Sequence, residues 1–253
     1  MMADSTLTGR TALVTGSTSG LGAGIATALA AAGAHVVVTG RTRGRGEQVV
    51  ARIESEGGRA TFIPVDFSAG GDAVADLAAS ATEDVGGRLD ILVNNVATLI
   101  QPAPTADVTA EEISAAFGVS VVAPFLLTGL LAPAMAQRGD GAIVNIGSIA
   151  GIVGASGSAL YGATKASVHQ LTRAWAAEYG PNGVRVNTVA PGPIATDRSD
   201  EYADAIAPVL AQLPSGRMSS VAEVAAAVVF LAGPAAANIH GSILSIDGGW
   251  AAI

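Results

Sequence analysis

The chain contains no cysteine, so disulfides and thiolate chemistry are excluded. Charged residues make up only 13% and aromatics only 4%. The acidic balance, net −8, leaves no basic face for a nucleic-acid backbone. The N-terminus, Met1 to Arg10, lacks a basic stretch followed by an apolar run, so no signal peptide is expected. Gly, Pro and polar residues are expected to cut every apolar run short of a membrane span. No His/Asp/Glu grouping has metal-ligand spacing, and no metal is expected. With a reducing compartment fitting the missing thiols, a cytoplasmic location is the expectation.

What is abundant is small and apolar. Half the residues are hydrophobic and 32 are glycine, in 253 residues, which suits one sizeable α/β core. Short β-branched runs (Ala12–Thr15, His35–Thr39, Ala60–Val65, Ile91–Asn94, Ala142–Ile146, Arg185–Val189, Ile243–Ile246) alternate with Ala-rich stretches. Those stretches, near 20–32, 44–56, 71–86, 109–137, 158–180 and 221–232, predict helices. The alternation predicts βαβ units and a parallel sheet covered on both faces. One domain over 1–253 is expected. The stretch 192–219, rich in proline and charged around Asp197–Asp204, reads as a substrate lid or as a plain surface excursion.

Gly16, Gly20 and Gly22 follow the first strand and open the first helix. Gly16 suits a tight turn, Gly20 a close backbone approach to a pyrophosphate, and Gly22 close helix–strand packing. The helix N-terminus offers unpaired N–H groups to phosphate. Thr18, Ser19 and Leu21 fill the loop. At the end of the second strand no carboxylate stands ready for a ribose 2′-OH. Arg41 does, with Arg43 or Arg45 as helpers, which favours a 2′-phosphate and so NADP(H), with NAD(H) still open.

Tyr161 and Lys165 are four residues apart on a predicted helix, and so share a face. Ser148 lies 13 residues before Tyr161 at a strand end. A ketone reduced by hydride needs a proton donor at its oxygen. A phenol has an ordinary pKa near ~10, and an ammonium beside it is expected to lower that value. Ser148 would hold the substrate oxygen in line.

The TGxxxGxG run of Thr15–Gly22, with Ser148 and the Tyr161–Lys165 pair, resembles the short-chain dehydrogenase/reductase family, 3-oxoacyl-carrier-protein reductases among them. The likeness runs from about residue 7 to 250. It implies a Rossmann-type doubly wound parallel sheet of about seven strands, helices on both faces, and hydride transfer between NADP(H) and a ketone or secondary alcohol. It further implies that Lys165 bonds the nicotinamide ribose. Asp66, with Phe67 beside it, resembles the adenine contact, and Asn94-Asn95 the sheet-stabilising motif beside the cofactor. Pro191-Gly192, Ile194 and Thr196 resemble the nicotinamide-side residues, and Asp247-Gly248-Gly249 the closing turn. A homotetramer through helices 109–137 and 158–180 is implied, with burial inside one subunit as the alternative.

Two positions depart from the family pattern. Ala97 stands where a glycine is usual, and Ser120 stands where many members carry an asparagine that links the catalytic lysine to solvent through water. Ser120 is therefore expected to weaken or reroute that relay. An NAD-dependent enzyme of the same class, or an idle nucleotide-binding regulator, remains an alternative. His35, His169 and His240 read as structural, Trp175 and Trp250 as core or interface. Ile149, Val153, Leu160 and Ile194 are expected to line an apolar pocket.

Overall fold

The structure is a computed structural model that describes residues 6–196, 199 and 203–252, the side chains of 203–205 excepted. Alternate residues along each strand enter opposite cores. Ala12 and Val14 of β1 (Thr11–Val14), with Val36 and Val38 of β2 (His35–Gly40), join one cluster. Leu13 and Val37, between them, join the other. Ile91 and Val93 of β4 (Ile91–Asn94) and Leu92 divide in the same way. A strand apolar on both faces needs a helix layer on each.

The first layer is α1 (Gly20–Ala31), α2 (Arg43–Ser55) and α8 (Val221–Ala232), which seat Leu29, Ile53 and Leu231 on the sheet. Gly24 brings α1 tightly onto α8, since a Cβ there would overlap Val221. The second layer is α3 (Gly71–Asp84), α5 (Ala123–Arg138) and α6 (Ala159–Tyr179), with Leu77, Leu131 and Trp175 inside. Each such large side chain contributes roughly 1.5–3 kcal/mol of burial.

With β3 (Arg59–Pro64), β5 (Gly141–Ile146), β6 (Val184–Pro191) and β9 (Ile243–Ile246), the strands form one seven-stranded sheet in the order β3-β2-β1-β4-β5-β6-β9. Every pairing in it is parallel. The order reverses between β1 and β4, and there the carboxyl ends of the strands open a crevice. The opposite end carries an ionic cluster. Asp90, fully buried, takes Arg88 at 2.7 Å and Arg10 at 3.5 Å, and Arg10 also pairs with Asp140.

The doubly wound sheet and all seven expected strands are present, with ends shifted by a residue or two. One expectation is corrected. α4 (Ala110–Phe117), a π-turn over Gly118–Val122 and α5 run on as a single helical stretch of 29 residues, Ala110–Arg138, long and apolar enough by composition to cross a membrane. The helix expected near 109–137 is present, and neither Gly129 nor Pro133 breaks it; what is corrected is the expectation that every apolar run falls short of a membrane span. Leu127, Leu131 and Met135 bury the inner face of this stretch against the sheet, as a core helix does.

After β6 come β7 (Ile194–Ala195), α7 (Ala203–Leu210) and β8 (Ser219–Ser220), with β7 and β8 paired. This excursion is anchored at its base. Ser215 N donates to Gly248 O at 3.0 Å, and Ser219 Oγ to Ile246 O at 3.1 Å. Asp197, Arg198, Asp200, Glu201 and Tyr202, most of the charged stretch expected there, lie outside the described residues.

Candidate active site

The turn after β1 is built without side chains where the chain crowds. Gly16 and Gly20 hold φ of +63° and +51°, which glycine adopts at little cost. A Cβ at Gly22 would overlap the Gly16 carbonyl and stand 2.6 Å from Asn95 Nδ2. Asn95 Nδ2 donates to the carbonyls of Thr15 (2.9 Å) and Gly16 (3.1 Å), tying the turn to the end of β4. Asn94 points elsewhere, donating to Asn145 Oδ1 at 2.8 Å inside the sheet.

Ser19 is the N-cap of α1, yet its side chain makes no capping bond. The first-turn N–H groups are thus left to the crevice, an arrangement suited to an anion. Thr18 and Ser19 line a groove of about 730 Å³, with Val65, Asp66 and Phe67 opposite and Ala97 to Leu99 along one side. Gly20, Leu21 and Gly22 lie behind that wall, and Leu21 packs against the first core. The Phe67 ring is itself in the second core, so the groove meets only part of it.

Arg41, Thr42 and Arg45 close the far end of the groove. Arg43 is not part of this lining; its guanidinium pairs with Glu47 at 3.6 Å one turn along α2. Of the two possible helpers, the groove therefore takes Arg45. Asp66 Oδ1 accepts from Ser68 N (2.9 Å) and Oγ (2.6 Å), and these bonds, with Arg41 nearby, hold its carboxyl below the usual range. The groove and the uncapped helix end suit a dinucleotide, with Arg41 and Arg45 at one part of its lining.

Ser148, Tyr161 and Lys165 converge. Ser148 stands beside the Tyr161 hydroxyl, close enough to pull the phenol down, and Ser148 Oγ accepts from Ala150 N at 3.2 Å. Lys165 Nζ lies over the Tyr161 ring, 5.7 Å from its centroid, and donates to Ile146 O at 2.9 Å. The electrostatics correct one expectation. Burial pushes the Tyr161 phenol above its ordinary value, while the neighbouring Ser148 hydroxyl pulls the other way. Lys165 lies over the ring, bonded to a carbonyl, and is itself lowered to about 8 by burial.

Ser120 sits inside the π-turn, buried, and its hydroxyl accepts Thr98 N at 3.2 Å. Pro191 ends β6, and Gly192 packs on the closing turn, where a Cβ would stand 2.9 Å from Asp247 Cα. Asp247 in turn accepts Gly249 N (3.0 Å) and Ala251 N (2.9 Å). Ile194 is half-buried against the first core, and Thr196 N donates to Ser199 Oγ at 2.6 Å. Ile149, expected in the pocket wall, is buried; Leu99, which lines the groove, and Ile152 are exposed. Trp175 is in the core, as expected, 5.9 Å from the Phe125 ring.

Sequence reasoning missed Thr98 and the part played by Asn95. No local pattern marks a residue recruited through its backbone N–H or through contact with a turn 80 positions away.

A family model described as enoyl-(acyl carrier protein) reductase matches residues 16–251. A curated cyclopentanol dehydrogenase from Comamonas testosteroni is 38% identical over 243 residues, 95% of this chain and 96% of its own. A solved short chain dehydrogenase/reductase family protein is 45% identical with a TM-score of 0.88, covering 98% of this chain and all of the other. A 3-oxoacyl (acyl-carrier-protein) reductase from Agrobacterium tumefaciens, solved with NADP bound, is 34% identical with a TM-score of 0.91, covering 99% and 97%.

Proposed function

The chain belongs to the short-chain dehydrogenase/reductase family, and on that premise we propose that it is an NADP(H)-dependent oxidoreductase interconverting a ketone and a secondary alcohol. The carrying observation is the convergence of Ser148 and the Lys165 ammonium on the Tyr161 phenol. Thr18, Ser19, Arg41, Arg45 and Asp66 would hold the adenosine half of the cofactor. Ile194 and Thr196 would hold the nicotinamide, and Lys165 its ribose. NADP(H), when bound, supplies or accepts the hydride.

Ser148 would donate to the substrate oxygen and fix it beside Tyr161. A phenol raised by burial stays protonated at neutral pH, so Tyr161 is set to give its proton to that oxygen. That favours the reductive direction near neutrality; the reverse needs the phenolate, and hence higher pH. Lys165, protonated below about 8, steadies the ring as the proton leaves.

The cleft walls 96–106 and 148–160 contain no charged residue, and Leu99 and Ile152 are exposed there. An uncharged, apolar carbonyl suits such walls, under a lid formed by 192–219. Val122, Phe125 and Leu130 leave an apolar strip on the surface of the long helical stretch. That strip supports a homotetramer through α4–α5 and α6, to be read by light scattering.

The test is NADPH oxidation at 340 nm over cyclopentanone and a 3-oxoacyl thioester. Turnover should vanish in Tyr161→Phe with NADPH binding intact. Unaltered turnover in that variant would refute the assignment.

A further inference from the structure

Two glycines flank Ser148, and a single side chain fills the room that both leave. A Cβ at Gly147 would overlap His169 Nε2 and stand 2.7 Å from Thr188 Cγ2. A Cβ at Gly151 would stand 2.8 Å from His169 Cε1 and 2.8 Å from Ala166 N. The imidazole is thus wedged against the turn on either side of the serine. It is 3% exposed. Burial, with the charges of Lys165 and Arg173 nearby, lowers it to about 4, so the ring is neutral at neutral pH.

A neutral imidazole has one N–H. The Gly151 backbone lies close enough to favour the charged ring, which with Nε2 unpartnered points to an N–H on Nδ1 that faces the Gly151 carbonyl. Nε2, buried, is left as a bare acceptor. An orphaned buried acceptor is unfavourable, and a site packed for stability alone would be better filled by an apolar side chain. The other nitrogen supplies the reason for an imidazole. It ties Gly151, the last residue of the short turn Ile149–Gly151 that follows Ser148, to α6. Tyr161, Lys165 and His169 stand four residues apart in turn on that helix.

We infer that His169 is a positioning residue that clamps the Gly147–Gly151 turn onto α6 and so brings the Ser148 hydroxyl to Tyr161. The inference rests on the reading of Ser148 and Tyr161 as the reacting pair. His169 touches neither substrate nor cofactor in this role. Its effect passes through the serine, whose hydroxyl pulls the phenol down against burial.

His169→Leu removes the donor. His169→Asn keeps an amide N–H near the Nδ1 position. The full-length protein is assayed for NADPH-dependent turnover, and Tyr161 ionisation is followed by ultraviolet difference absorbance against Tyr161→Phe. In His169→Leu, kcat should fall on the order of 100-fold, the scale of a roughly 1 Å misplacement. The KM for NADPH should hold, and the phenol pKa should rise further. His169→Asn should restore both. Should the leucine variant not fold, His169→Gln replaces it, because the longer amide carries its N–H away from Gly151. Unchanged kcat and phenol titration in these variants would overturn the inference, as would an asparagine variant no better than leucine. A phenol that shifts and recovers as expected, in a protein that reduces no ketone, would uphold the clamp and defeat the oxidoreductase reading.

Discussion

The Ser120 hydroxyl accepts the backbone N–H of Thr98 at 3.2 Å, pinning the loop after β4 to the π-turn of the long helix. Ser120→Ala strands that N–H and should cost about 1 kcal/mol, read as a lower Tm. Ser120→Asn can keep the bond and reach further toward Lys165. It should raise turnover by up to roughly tenfold, a fraction of what general acid–base catalysis contributes, and move the basic limb of the pH profile. A variant with the parent's turnover and profile would remove Ser120 from the proton path.

Lys165 is 3% exposed and its ammonium has a carbonyl, not a carboxylate, for a partner. Its pKa lies at about 8 in the fold against an ordinary 10.5, so its charge opposes folding fully below 8 and ceases to do so above 10.5. Lys165→Met should therefore end activity yet raise stability at pH 7, by up to about 3 kcal/mol at 1.36 per pKa unit. The gain should shrink between pH 8 and 10. Chemical denaturation at pH 7 and 9.5 checks this; a gain that grew with pH would contradict the burial account.

Arg41 and Arg45 face the groove while Arg43 is drawn to Glu47. Arg41→Ala should raise the KM for NADPH by about 10- to 100-fold, the loss of a charge-assisted bond of roughly 1.5–3 kcal/mol, and leave that for NADH nearly unchanged. Arg43→Ala should change neither. Equal effects of Arg41→Ala on both cofactors would remove the case for a 2′-phosphate contact.

Gly22→Ala drives a methyl into the Gly16 carbonyl and Asn95. It should cost about 1–3 kcal/mol of stability and weaken dinucleotide binding more than Gly44→Ala, where a Cβ meets nothing within 4 Å. Tm and fluorescence titration with NADPH measure the two effects.

The sheet could be read from the chain because its strands are apolar on both faces and its helices are long. The glycine turn, Ser148, Tyr161 and Lys165 were legible because backbone crowding and helical spacing leave marks in sequence. The direction of the Tyr161 shift was not, since it depends on how deeply the ring is buried. Nor was the choice of Arg45 over Arg43, settled by an ion pair one helical turn away. The helix near 109–137 was legible too; the π-turn inside it was not, because one inserted residue leaves the apolar pattern on either side intact.

The π-turn at Gly118–Val122 lengthens one coil of the helix by a residue, which offsets the two halves by about 100° about their common axis. A one-residue deletion there would act as a phase error more than a shortening. It would swing Ser120 out of line with Thr98, or lift Leu127 and Leu131 off the sheet, so the long helix tolerates replacement within this coil far better than any change in its count.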